Sequence, residues 1–132
     1  MKYKYIFYLC CIFLSGCNKA PVKESEILWD TYGVPHIFAD NYEDMFYAYG
    51  WAQMRNHGNL LLQLYAQARG QGAEYFGEKH LQSDQWVHTH NVVERSREWL
   101  EKQDSDIRKM LEAFTDGINA YAKTHPEDRT RL

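Results

Sequence analysis

Cysteine is scarce in this sequence and confined to its start, at Cys10, Cys11 and Cys17. If the first 16 residues are removed and Cys17 is modified, no thiol is left for a disulfide, and the fold must hold by packing. Basic residues are also short. Without Lys2 and Lys4, the rest of the chain has 13 basic against 18 acidic residues, a net charge near −5. That balance excludes a nucleic-acid partner, because phosphate binding needs clustered Lys and Arg. Long hydrophobic runs are missing as well. The sustained apolar stretch Tyr5 to Leu14 is shorter than the roughly 20 residues a membrane-crossing helix requires. The sequence contains neither G-x-S-x-G nor H-E-x-x-H, the local patterns of an elbow-mounted serine and of a zinc protease. It has no internal repeat.

What is present begins with an export signal. Lys2 and Lys4, an apolar core and then Ser15 and Gly16 ahead of Cys17 have the layout of a cleavable signal peptide. Leu14-Ser15-Gly16-Cys17 resembles a bacterial lipobox, in which cleavage leaves the cysteine as the first residue, carrying lipid. Residues 1–16 are therefore read as a lipoprotein signal peptide, Cys17 as the lipidation site, and 17–26 as a polar tether. Buried acyl chains contribute about 0.8 kcal/mol per methylene, so the expectation is an exported protein of the bacterial cell envelope, lipid-anchored and facing the periplasm.

The folded part opens with "ILWDTYGVPHIFA" (27–39), two short strands around a Gly/Pro turn. Asp40 is expected to cap a first helix, with Glu43 completing the capping pair and Met45, Tyr49, Ala52 and Gln53 on one face. Gly50 inside that helix costs about 1 kcal/mol relative to Ala, which predicts a close backbone contact there. "HGN" (57–59) is expected to interrupt the pattern before a second helix, 60–70, that stops at Gly70. Residues 70–86 read as a Gly-punctuated helical turn and loop, and 91–103 as a surface helix. Ile107, Met110, Leu111, Phe114, Ile118, Tyr121 and Ala122 have helical spacing, with a start at Asp104 or Ser105 and a stop before Pro126. The fold class is α+β: an N-terminal β-hairpin followed by about four helices. A lone two-stranded hairpin is marginal in water, so this order reads as half of a larger core.

Three kinds of chemistry are conceivable on these residues. His57, His80, His88 and His90 could serve a metal, and His88-Thr89-His90 would share a face if extended, but no acidic or cysteine partner stands at a recognised spacing. Ser83, Ser96 and Ser105 lie in charged surroundings without a nucleophile turn, and Cys17 is set for lipidation. Tyr42, Phe46, Tyr47, Tyr49, Trp51, Tyr65, Tyr75 and Phe76 either form core or line a pocket for an acyl or aromatic group. The residues alone leave two functional classes open, a fragment of an enzyme and a small non-catalytic helical lipoprotein that binds or scaffolds.

Several motifs in register narrow this. Asp30, Gly33 to His36, Asp44, Gly50 to Gln53, Arg69-Gly70, Ala73 to Gly77 and Gly117 to Tyr121 follow the order and spacing of the penicillin acylase family, so that 27–127 resembles the N-terminal part of its α chain. The resemblance implies a fragment of an αββα N-terminal-nucleophile hydrolase fold. In that fold a serine opening a separate β chain attacks an amide, with its own α-amino group as base and nearby donors holding the oxyanion. It implies β-lactam antibiotics or N-acyl-homoserine lactones as substrates, and a β chain of the same precursor as partner. No cofactor is expected within this chain, although calcium is possible in the complete enzyme. "MRNHGN" (54–59) departs from an acidic-Asp-Arg run common in the family, and 128–132, "DRTRL", is an atypical tail. The nucleophile, oxyanion donors and calcium ligands would all lie past Leu132. No catalytic, cofactor or metal residue is assigned, and the chain alone is expected to be inactive.

Overall fold

The computed structural model describes residues 25–131; residues 1–16, expected to be a signal peptide, and Cys17, the expected lipidation site, lie outside this range. Strands β1 (Ser25–Trp29) and β2 (Pro35–Ala39) form one antiparallel hairpin, paired from Ser25↔Ala39 to Trp29↔Pro35. β1 thus begins two residues inside the stretch expected to be tether. Asp30 builds the turn. Its Oδ1 accepts from the N–H groups of Tyr32 and Val34, both at 2.9 Å, while Gly33 N–H donates to the Asp30 carbonyl at 3.1 Å. Gly33 takes φ of 77°, which a side-chain-free residue adopts without strain.

Helix α1 (Tyr42–Ala68) follows. Its cap is Asn41 rather than Asp40: the Asn41 side chain accepts from Asp44 N–H at 2.9 Å and donates to the Asp44 carboxylate at 2.8 Å. The expected break at 57–59 is a kink inside one helix, with non-helical φ −133° and ψ 26° at His57. Gly58 and Asn59 cost helix propensity of order 1 kcal/mol. Leu61 and Leu62 beyond them pack on the core, which offsets that cost, so the helix bends and continues. It stops as expected at Gly70. Gly70 N–H donates to Gln67 C=O at 2.9 Å and Gln71 N–H to Ala66 C=O at 2.8 Å, the double bond of a Schellman stop.

The stretch from 70 to 90 holds more helix than its glycines led us to expect. Helix α2 (Gly72–Phe76) and a 3-10 turn (Glu78–His80) lead into helix α3 (Leu81–Thr89). Asn91, in the left-handed region at φ 50°, joins α3 to α4 (Val92–Glu101). Helix α4 buries no residue, as expected for a surface helix. Helix α5 (Ser105–Thr124) is capped by Asp104, whose carboxylate accepts from Asp106 N–H at 2.9 Å. A 3-10 segment, Pro126–Arg131, closes the described chain. The class is α+β, with five α-helices among the described residues where about four were expected.

The core sits where α1 crosses α5. Met54, Ile118 and Tyr121 form its centre, with Trp51, Leu61, Leu62, Phe114 and Ala122 against it. The buried face of α1 is small: Ala48, Gly50 and Ala52 line it, whereas Tyr49, expected on that face, is exposed. Small residues let the backbones touch. A Cβ on Gly50 would lie 2.0 Å from the Phe114 carbonyl oxygen, and one on Gly117 would lie 2.0 Å from that of Tyr47. The close contact predicted at Gly50 is therefore present and reciprocal.

Candidate functional surface

The histidines do not converge. His80 Nδ1 meets Gln67 Nε2 at 3.0 Å, and its Nε2 is buried without a partner. His88 Nε2 lies 3.0 Å from Gly70 C=O. His90 stacks on Trp86 with ring centroids 4.2 Å apart. Residues 88–90 close a helix instead of running extended, so the two rings separate. Among the described residues, no three His, Cys, Asp or Glu side chains are grouped to hold a metal ion. The serines are engaged locally. Ser83 donates to His80 C=O at 2.8 Å, Ser96 to Val92 C=O at 2.7 Å, and Ser105 lies 3.5 Å from the Asp106 carboxylate.

Two arrangements escaped sequence reasoning. Asp84 is 6% exposed and accepts from Gly72 N–H at 3.0 Å and Ala73 N–H at 2.7 Å, so a carboxylate on α3 caps α2. The sequence reads 70–86 as a helical turn and loop, a reading in which Asp84 has no helix to cap. Arg55 places its guanidinium 4.2 Å from the Trp29 ring centroid and 6.0 Å from that of Trp51, joining hairpin and helix by cation–π attraction. Asn56 adds a bond to Gly33 C=O at 3.3 Å. Arg55 and Asn56, within the run 54–59, thus hold the hairpin onto α1.

Some of the aromatic residues do border an opening. Trp29, Tyr47 and Trp51, with Ser25, Ile27 and Ala48, line an open groove of about 350 Å3 between β1 and α1. Behind it, Tyr121 meets Trp51 edge-on at 4.9 Å and stacks on His125 at 4.1 Å. The Tyr121 hydroxyl donates to Asp128 at 2.6 Å. Burial first, and then this bond to a carboxylate, raise the Tyr121 phenol above its ordinary pKa. Asp128, in the closing 3-10 segment, is therefore tied to the core.

Large apolar side chains remain outside. Leu28, Phe38, Trp86 and Trp99 are each about half exposed, at 49, 57, 59 and 54%. Ile107 and Leu111, on the apolar stripe of α5, are also exposed. Single exposed residues are ordinary; here large apolar side chains stay open on the hairpin and on three helices, α3, α4 and α5, and such clustering is a feature of surfaces that bind other molecules.

A two-stranded hairpin leading into packed helices, with large apolar side chains open on several elements, is an α+β arrangement. The fold matches that of a thermostable penicillin G acylase from Alcaligenes faecalis at a TM-score of 0.73, over 84% of this chain and 59% of that one, with 24% identity. The family model for penicillin amidase matches residues 24–131, and the chain belongs to that family. It is 25% identical over 107 residues to penicillin G acylase of Escherichia coli, covering 79% of this chain and 13% of that protein. It is also 25% identical over 89 residues to the acyl-homoserine lactone acylase QuiP of Pseudomonas fluorescens (strain Pf0-1), covering 67% and 11%. The chain therefore spans about an eighth of the length of the curated relatives it matches.

Proposed function

We propose that this chain is the N-terminal part of the α chain of an exported, lipid-anchored amide hydrolase that deacylates N-acyl compounds such as β-lactam antibiotics or N-acyl-homoserine lactones. The observation that carries the reading is the unfinished core within a family match covering residues 24–131. Apolar faces of the hairpin, α3, α4 and α5 stay open in a stretch that aligns with 13% of an acylase. In this reading the catalytic serine and its amino-group base come from a β chain. The present residues shape and support that body, and they are inactive alone. Cys17 holds the assembly at the membrane, and any calcium binds outside the described residues.

The test compares this chain alone with the precursor that contains it, using N-acyl p-nitroanilides and acyl-homoserine lactones. Hydrolysis by the precursor and none by the chain is the expected result. A chain that melts cooperatively as a stable monomer, beside a precursor inert to every amide, would make it a non-catalytic lipoprotein module instead. Anchoring is read separately: labelled fatty acid should enter the protein and disappear with Cys17→Ser.

A further inference from the structure

The two edges of the hairpin are not equivalent. Asp30 N–H donates to Val34 C=O at 3.2 Å, and Trp29 stands opposite Pro35, which has no N–H to give. Bonded and non-bonded pairs alternate in an antiparallel ladder. The ladder bonds therefore join Leu28 to His36 and Glu26 to Phe38, and Ser25, Ile27 and Trp29 turn their N–H and C=O groups away from β2. On the far edge the outward residues are Pro35, Ile37 and Ala39. Proline breaks that row of donors, a common way of blunting a sheet edge. The β1 edge keeps its full row, and no further strand pairs with it among the described residues.

The groove lies along this complete edge. Its walls are Ser25, Ile27 and Trp29 of β1 and Tyr47, Ala48 and Trp51 of α1, and no β2 residue lines it. We infer that the β1 edge is the docking site for an extended segment of the remaining amidase polypeptide. That segment adds as a third strand and sets alternate apolar side chains into the groove over α1. Main-chain bonds supply attachment and the groove supplies selection, as in strand addition generally. A partner of five residues would run about 17 Å along β1. The occupant is assigned to the remaining polypeptide because the matched stretch is only 13% of a curated relative, and because a two-stranded sheet gains stability from a third strand. The inference rests on the reading proposed above.

Amide hydrogen exchange on the precursor and on this chain alone tests it. The Ile27 and Trp29 amides should exchange at least ten-fold more slowly in the precursor, while Ile37 and Ala39 change less than two-fold. Protection of the β2 edge, or of neither edge, overturns the inference. So does slow exchange already present in the isolated chain: its loss on deleting residues 18–24 would assign the edge to the leading segment, and its loss on dilution to a second copy. A matched pair of variants reads the same edge by folding yield. Ile27→Pro and Ile37→Pro each remove one outward N–H and one isoleucine, and the precursor should accumulate at least ten-fold less with I27P; equal accumulation overturns the assignment. Amide hydrolysis on the same precursor separates the two levels. A protected β1 edge in an inert protein retains the docking site and sinks the catalytic reading, whereas an active precursor with an unprotected edge sinks the docking site alone.

Discussion

Replacing Gly117 by Ala tests the helix crossing at its tightest point. A Cβ there would lie 2.0 Å from the Tyr47 carbonyl oxygen and 2.9 Å from the Trp51 nitrogen. Both are backbone atoms, so no side-chain rotation relieves the clash. Ordinary contact begins near 3.4 Å, so α5 must move about 1.4 Å away from α1. That displacement opens the interface holding Met54, Ile118 and Tyr121. Overpacking of this kind costs about 1–3 kcal/mol or more. Alanine's better helix propensity returns about 1 kcal/mol. With a backbone obstacle the upper part of the range applies, giving a net loss of about 1–2 kcal/mol. At about 4–8 °C per kcal/mol for a domain of this size, the midpoint of thermal unfolding followed by circular dichroism should fall by about 5–15 °C. Gly58→Ala is the control. Its Cβ would meet only the flexible end of Met54, at 3.2 Å, so propensity should prevail and the midpoint should hold or rise. A Gly117→Ala protein melting at or above the parent temperature would refute the close-approach argument.

Asp84→Ala should destabilise by about 1–3 kcal/mol, because the Gly72 and Ala73 amides lose their acceptor inside the fold; urea unfolding measures it, and an unchanged midpoint would remove the capping role. Tyr121→Phe keeps the stack on His125 and deletes the bond to Asp128, for a loss of about 1 kcal/mol. The Tyr121 phenol is raised above its ordinary value, so its contribution is complete below the ordinary tyrosine range and is lost as pH climbs through the folded value. An ultraviolet titration should therefore lose a late-titrating phenol in the variant. The Asp30 carboxyl is held below the ordinary aspartate value, first by the Val34 amide and then by His36 and Tyr32. A depressed carboxylate stabilises above its unfolded pKa and releases that contribution as pH falls through the lower folded value. Turn resonances followed by NMR should therefore titrate at lower pH than an unstructured aspartate in the same conditions; a midpoint at or above that reference would contradict the Asp30 contacts.

Much of the local structure was legible in the sequence because it rests on short-range rules. The α5 stripe follows helical period, and Asp104 and Gly70 mark its start and the stop of α1 through caps that involve only neighbouring residues. The turn at Asp30 to Val34 is written in Asp, Gly and Pro. Gly50 pointed to a close approach by its propensity cost alone. The Asn41 cap shows the limit of such reading, since Asp40 and Asn41 are both good caps and backbone geometry chose between them.

The tertiary structure decided what depends on distant partners. His57 became a kink because Leu61 and Leu62 had a core to reach. Asp84 caps α2 from another helix, and Arg55 finds Trp29 across 26 positions of sequence. Neither pairing has a periodic or motif signal, since each needs two elements brought together before the charge finds its acceptor or ring. The unfinished surface is likewise visible only once faces are set. The same apolar spacing that predicts α5 buries Ile118 and leaves Ile107 open. Period fixes which residues share a side of a helix, and packing decides how much of that side another element covers.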